Sequence, residues 1–281
     1  MKNAKAVTAV TLGRALLVRA FSLPVNAFGI LPGAKVNVIA DLTKKLYYFT
    51  LFFTGRTRKG IAYCSTPLGH LLIPYEDGSF YYMREILVEE IYDKPWKDET
   101  FDLIIDVGAH VGIFTLKASK KGKKVLAFEP HPINYLLLVK NIELNTLSNV
   151  LTFKLAISDR AGIVDLYEGR FSGSASLKAL PGRRKAGIKV KCDTLDNIVG
   201  QMNLDLSDMS VFLKVDVEGS EMEVLRGASY VLRSAKRMKV SCASYHYAGE
   251  ILEVGRLLRK MGFRVFKSNN YIIYAERRNA D

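Results

Sequence analysis

"LIIDVGAHVGIFTL", residues 103–116, decides how the fold is read. A run of apolar residues meets a carboxylate, Asp106. Two glycines, Gly108 and Gly112, follow, and the apolar residues then resume. "FDLIIDV" (101–107) has the length and composition of a buried strand, and 112–120 those of a helix. Glycine lets the backbone turn tightly and approach a ligand closely. The helix that begins there offers unpaired N–H groups. In open α/β sheets the carboxyl edge of the strands is where ligands bind.

The alternation continues outward from this turn. "KKVLAFE" reads as a second strand, "INYLLLVKNIELN" as a second helix and "VLTFKLAIS" as a third strand. A less regular stretch contains "GIVDLYE" and "GIKVKC", and a short helix follows near 194–201. "VFLKVDV" and "MKVSCAS" read as strands, each followed by a helix, "SEMEVLRGASYVL" and "GEILEVGRLLRKMG". Alternating strands and helices predict a parallel sheet covered on both faces. The closing "FRVFKSNNYIIYAE" differs: two strand-like runs joined by "KSNN" predict a hairpin and an antiparallel last strand. Residues 1–95 form a basic, aromatic extension, expected to contain helices and a short β-region around "GHLLIPYEDGSFYYM". Gly69, Pro74 and Asp77-Gly78 mark its turns. A helix "REILVEEIY" follows, which Pro95 ends. Residues 96–281 form the sheet domain.

Nearly half of the 281 residues are apolar (49%), enough for a sizeable core. Cys64, Cys192 and Cys242 are widely spaced, with neither a disulfide framework nor a structural zinc pattern; this suits a reducing cytosol. The net charge of +13 is unevenly placed. Residues 1–60 hold Lys2, Lys5, Arg14, Arg19, Lys35, Lys44, Lys45, Arg56, Arg58 and Lys59 against Asp41 alone. This asymmetry suits an anionic surface, RNA or an anionic membrane, and also suits a solubilising face. Arg14 and Arg19 interrupt the first apolar run, which argues against a secretory signal, and no long uncharged apolar run predicts a spanning helix. The expected location is cytoplasmic; attachment to a membrane face through a basic amphipathic helix stays open.

Glu129 ends the second strand, 21 residues after Gly108, where a carboxylate can accept from both hydroxyls of a ribose. The spacing Gly108-Ala109-His110-Val111-Gly112 is not the G-x-G-x-x-G of a pyrophosphate site. Asp106 would also repel a pyrophosphate. It suits the cationic amino-acid end of S-adenosylmethionine better.

At this point the sequence resembles the FkbM-type family of S-adenosylmethionine-dependent methyltransferases. The resemblance runs from roughly Glu85 to Phe266 through "IIDVGAHVGIFTL", "AFEPHPINYLLLVKNIELN", "LAISDRAG", "VKCDTLDNIV" and "FLKVDVEGSEMEVLRG". It implies a Rossmann-like, seven-stranded class I methyltransferase fold with an antiparallel last strand. It places Asp106, Gly108 and Gly112 around the methionine part, with Ala109 and His110 in the same cofactor loop, where His110 also reads as shaping the backbone, Glu129 at the ribose, and Ser158 and Asp159 at the adenine. The implied reaction is O-methylation of a hydroxyl on a sugar, glycan, lipid-linked or other small-molecule acceptor.

Methyl transfer to a hydroxyl needs alignment and a group that removes a proton. In "LKVDVEGSE", alternation turns Asp216 and Glu218 to one side, if the strand persists that far, and Glu221 follows one turn into the helix. Three carboxylates so close are costly unless solvated, paired or metal-bound. Asp216 and Glu218 are the expected substrate or base residues. Glu221 is a substrate candidate that also reads as a favourable helix N-terminal acid. A divalent cation is compatible with this block, but no motif requires one. His246 is the candidate base, although Ser244 stands where family members often carry an acid. His131 reads as completing a turn. "RFSGSASL" (170–177) reads as a lid offering Ser174 and Ser176, with Arg183, Arg184 and Lys185 behind it. Two other readings stay open beside the small-molecule O-methyltransferase. One is a ribose-methylating RNA methyltransferase that uses the basic N-terminal zone. The other is a non-catalytic membrane- or nucleic-acid-associated adaptor that retains the fold.

Overall fold

The structure, a computed structural model, describes residues 61–74, 81–169, 172–267 and 272–278. The expectations for the basic zone, 1–60, and for the Asp77-Gly78 turn lie outside the described residues. An antiparallel hairpin comes first, β1 (Ile61–Thr66) and β2 (Gly69–Pro74). The main sheet then begins with β3 (Phe101–Val107), β4 (Gly122–Phe128) and β5 (Val150–Phe153). Between them lie α1 (Ile113–Ala118) and α2 (Pro132–Leu144). A side sheet follows: β6 (Ala156–Ile157), β7 (Gly162–Glu168) and β8 (Arg184–Asp193). After α3 (Leu195–Gln201) come β9 (Ser210–Val215), α4 (Glu221–Arg226), α5 (Ser229–Ser234), β10 (Arg237–Ala243) and α6 (Glu250–Lys260). The hairpin β11 (Arg264–Lys267) and β12 (Ile272–Arg278) closes the chain.

The main sheet has the order β11-β12-β10-β9-β3-β4-β5. β3, β4, β5, β9 and β10 run parallel, and β12 runs antiparallel between β10 and β11. This is the seven-stranded arrangement of class I methyltransferases. β3 is apolar and buried on both faces because helices cover the sheet from both sides. One core cluster joins Leu103, Ile105, Leu126 and Leu213 to α3, α5 and α6; another joins Ile104, Val125 and Phe212 to Trp96 and Phe114.

Local structure departs from the sequence reading in three places. "VLTFKLAIS" is two strands, since the chain leaves the main sheet after Phe153 and pairs Ala156 and Ile157 with β8. "SEMEVLRGASYVL" is two helices. Gly227 lies between them against the loop at Ser158, so close that a Cβ would stand 1.9 Å from the Ser158 carbonyl oxygen. "REILVEEIY" narrows to a π-helical turn, Arg84–Val88, and Glu90 (φ 55°) ends it before Pro95 is reached. His131 is the N-cap of α2, with Pro132 behind it at N1. Among the described residues no helix is long and apolar enough to cross a membrane.

Of the extension that composition sets apart from the sheet domain, residues 61–74 and 81–95 pack into its core. Leu71, Ile73, Met83 and Leu87 meet Val111, Ile113, Leu116 and Leu137. Two amides tie the hairpin to the end of α2. Asn145 accepts from His70 N (2.7 Å) and donates to His70 O (2.6 Å). Asn141 accepts from Leu72 N (2.6 Å) and donates to Leu72 O (2.9 Å) and Val111 O (2.7 Å). The side chains thus serve β2 as a neighbouring strand would. Asn141→Ala strands three backbone groups, and a loss of about 1–3 kcal/mol is expected. Hydrogen exchange checks this: Leu72 N–H should exchange faster, and an unchanged rate refutes the role.

Candidate active site

Strand order reverses between β3 and β9, and the two loops that leave these strands cross there. Asp216 N donates to Val107 O (3.1 Å). Gly108 has φ 79°, and a Cβ on it would lie 1.8 Å from the Asp216 carbonyl oxygen. No other residue type fits. Gly112 (φ 89°) packs against Leu138, where a Cβ would stand 2.7 Å from a side-chain carbon. His110, also at positive φ (53°), bends the loop between them.

A cleft opens over this crossing. Gly108, Ala109, His110 and Glu129 line one side of it. Phe128, Leu155, Ile157 and Leu166 form an apolar wall, and Glu85, Asp216, Glu218 and Tyr245 an acidic side. Glu129 accepts from His110 N and His131 N, one on each oxygen, both at 2.8 Å. Each oxygen keeps a lone pair. Burial pushes the Glu129 carboxyl up to about 7, against those two N–H groups and Lys214. Burial also holds His110 down to about 3, so its ring is neutral; its Nε2 lies 2.9 Å from Ser172 Oγ.

Six of the expected contact residues stand otherwise than the sequence reading placed them. Asp106 does not reach the cleft. It is fully buried, accepts from Thr115 Oγ1 (2.6 Å) and pairs with Lys214 Nζ (3.1 Å). Glu221 is fully buried too: its two oxygens accept from Val217 N (3.0 Å) and Gly219 N (2.9 Å), so it clamps the loop before its own helix. Ser158 and Asp159 lie past the wall, which ends at Ile157; Ser158 N is bonded to Asp193 O and Asp159 faces Arg160. Ser176 reaches the cleft, but its hydroxyl is engaged by Glu218 O (2.7 Å) and Lys178 N (3.0 Å), while the Ser174 side chain packs on Gly169.

Asp216, Glu218 and His246 do come together. The strand stops at Val215, so the alternation argument does not apply; Glu218 reaches the cleft through a positive φ of 60°. His246 Nε2 lies 3.7 Å from Asp216 Oδ1 and 3.6 Å from Glu218 Oε1. Its Nδ1 lies 3.3 Å from Glu221 Oε1 and 3.4 Å from Glu250 Oε2. Burial opposes a charge on the ring, but Glu218, Glu221 and Glu250 outweigh it and the pKa is pushed up to about 12. The candidate base thus stands among four carboxylates. Glu218 is held below the usual carboxylate range: burial opposes its charge, and His246 and Arg183 outweigh burial.

Several residues were missed. Lys214 donates to Gly108 O (2.7 Å) and faces the Tyr92 ring. A lysine inside the apolar run "VFLKVDV" was its signal, since a buried cation must be paired. Tyr92 donates to Asp216 Oδ2 (2.6 Å) and Arg183 to Glu218 Oε2 (2.5 Å). Glu85 lines the cleft, and burial pushes it up to about 7. No motif marked Glu85 or Glu250.

The sheet order, with the cleft at its reversal, is that of the class I methyltransferases. The profile of the methyltransferase FkbM domain matches residues 106–265, and the chain belongs to the FkbM-type family. It is 31% identical over 194 residues to methyltransferase sdnD of Sordaria araneosa, covering 56% of this chain and 74% of that protein. It is 28% identical over 214 residues to 31-O-demethyl-FK506 methyltransferase FkbM of Streptomyces tacrolimicus, covering 65% and 80%. It is 26% identical over 136 residues to hexuronic acid methyltransferase AglP of Haloferax volcanii, covering 48% and 54%.

Removing one partner of a buried ion pair leaves the other charge uncompensated. Asp106→Ala is therefore expected to destabilise the fold by about 3–5 kcal/mol. Denaturant unfolding checks this. A change below about 1 kcal/mol, the scale of an exposed pair, refutes the buried-node role.

Proposed function

We propose that this protein methylates a hydroxyl group of a sugar, glycan or other small-molecule acceptor. The observation that carries the reading is that two carboxylates, Asp216 and Glu218, line the same cleft as the glycine loop and Glu129. The printed activities of two relatives, on a hexuronic acid and on 31-O-demethyl-FK506, fit an acceptor of this kind.

The cleft fits the nucleoside end of S-adenosylmethionine. Glu129 has an unused lone pair on each oxygen for the two ribose hydroxyls. The wall of Phe128, Leu155 and Ile157 suits the flat adenine. Gly108 lets the backbone approach the methionine end. When bound, the cofactor supplies an electrophilic methyl group on a sulfonium. Asp216 and Glu218 would hold the acceptor hydroxyl in the cleft. Glu85 takes the hydroxyl proton, being at the cleft with a pKa near the working pH. The methyl group that S-adenosylmethionine would supply would pass to the acceptor oxygen and leave a neutral thioether.

Two measurements test this. Calorimetry should show S-adenosylmethionine binding that strengthens from pH 6 to pH 8. The reason is that ribose hydroxyls donate to the ionised carboxylate, and Glu129 loses its proton near pH 7. Lys214 and Asp106, the charges nearest it, act in opposite directions. Glu129→Gln should flatten the profile and weaken binding by about 1–3 kcal/mol; unchanged affinity removes Glu129 from the ribose site. Transfer of labelled methyl to fractionated sugar, lipid-linked and RNA pools then identifies the acceptor, and label in RNA alone refutes the small-molecule reading. With that acceptor, Glu85→Gln should lower kcat by roughly 10²–10⁴ with cofactor affinity unchanged. A normal kcat excludes Glu85 as the base.

A further inference from the structure

We propose that Asp216, Glu218 and His246 form a site for one divalent transition-metal cation, for which Mn²⁺ is a fitting probe. The inference rests on the reading of the cleft as a methyl-transfer site and gives its acidic side a ligand. One atom from each of the three residues lies within 4.8 Å of the other two. The remaining oxygen of each carboxylate is already engaged. Tyr92 donates to Asp216 Oδ2 and Arg183 to Glu218 Oε2, which turns Oδ1 and Oε1 toward the imidazole.

The imidazole itself is the second observation. Its side chain is 3% exposed, yet neither ring nitrogen has a hydrogen-bond partner, and neither does Asp216 Oδ1. A buried polar group without a partner is costly. Separations of 3.6 and 3.7 Å are too long for hydrogen bonds. They match two ligands of one ion: donors about 2.1 Å from a metal stand about 3.0 Å apart at a right angle and about 3.6 Å apart at 120°.

The surroundings also have the form of a metal site. A ligating histidine usually directs its other ring nitrogen to a carboxylate, which orients the ring. Here Nδ1 faces Glu221 and Glu250. Both are anchored, Glu221 by Val217 N and Gly219 N and Glu250 by His246 N (2.8 Å). Two carboxylate oxygens suit hard ions, and the imidazole shifts preference away from Mg²⁺, which keeps to oxygen and water. No thiol is in the set to favour a softer ion. Asp216 and Glu218 line the cleft, so open positions on the ion face the acceptor. Two neighbouring hydroxyls of a sugar are a fitting bidentate ligand. Coordination lowers the pKa of a bound hydroxyl and eases its loss of a proton to Glu85.

Electron paramagnetic resonance of Mn²⁺ titrated into the full chain tests the site without any acceptor. The expected result is one bound ion per chain, with His246→Ala and Asp216→Asn each weakening it by about 10–100-fold and Glu250→Gln by about 10-fold. Mn²⁺ should also raise the Tm of the wild-type protein, a readout that needs no variant to fold. No bound Mn²⁺ in the wild type, or equal binding in wild type and folded variants, overturns the proposal. Calorimetry with S-adenosylmethionine on the same samples decides the other reading separately. Cofactor binding without Mn²⁺ binding removes the cation site alone. Mn²⁺ binding without cofactor binding leaves the cation site standing and removes the methyl-transfer reading.

Discussion

The buried ion pair of Asp106 and Lys214 is the constraint on which the cleft depends. The two residues are direct partners in the β3–β9 register, at the point where strand order reverses. Neither charge is solvated, since the side chains are 0% and 3% exposed. Charges so buried persist only when paired and hydrogen-bonded. The pairing is therefore completed in both directions: Thr115 from α1 donates to Asp106, and Lys214 donates to Gly108 O. One node thus fixes the end of β3, the start of its helix and the glycine loop between them. Gly108 can then lie against the Asp216 backbone, and the two loops that bound the cleft are held at one separation.

Much of this was legible in the sequence, because period and spacing are local signals. The parallel strands, the terminal antiparallel hairpin, the glycine turn and Glu129 all follow from residues close together in the chain. What was not legible depends on contacts between distant residues. Asp106 looked like a ligand because its position at a strand end is local, whereas Lys214, which uses its charge, is supplied by another strand. Glu221 looked like a substrate residue for the same reason. The two N–H groups it accepts from become visible only when the 217–219 turn is folded. Gly227 could be read as part of a helix, and the Ser158 loop that breaks the helix there is nearly seventy positions away. Glu85 carried no motif, and only the cleft gives it a meaning.

The acids of this protein are sorted by what their oxygens already do. Asp106 and Glu221 have both oxygens engaged within the fold, which makes them structural despite their place in the two most conspicuous motifs. Glu129 has each oxygen half-engaged and lies at the cleft, so it can hold the chain and still accept from a ligand. Asp216 and Glu218 each have one oxygen held and one left over, and the spare oxygens converge. A carboxylate whose second oxygen is fixed has a defined direction for the first. That is the property a transfer site needs, because a misaimed acceptor loses far more rate than a weakly bound one.

His246 brings the same logic to its limit. It takes its place from a strand-end loop, and its orientation from four carboxylates on a loop and two helices, none of them hydrogen-bonded to its ring nitrogens. So much negative charge around one buried ring is unfavourable unless a positive charge is held in its midst. Arg183 offsets part of it, but only at the far oxygen of Glu218. A proton on the ring satisfies the field as a point charge without satisfying the lone pairs of Asp216 and Glu218, because those atoms stand too far away to accept. An ion between the three groups meets both demands, since its radius supplies the missing distance. The sequence departs from the family at Ser244, where an acid often precedes the histidine by two residues. In this chain Glu250, from the helix that follows, faces His246 Nδ1 instead.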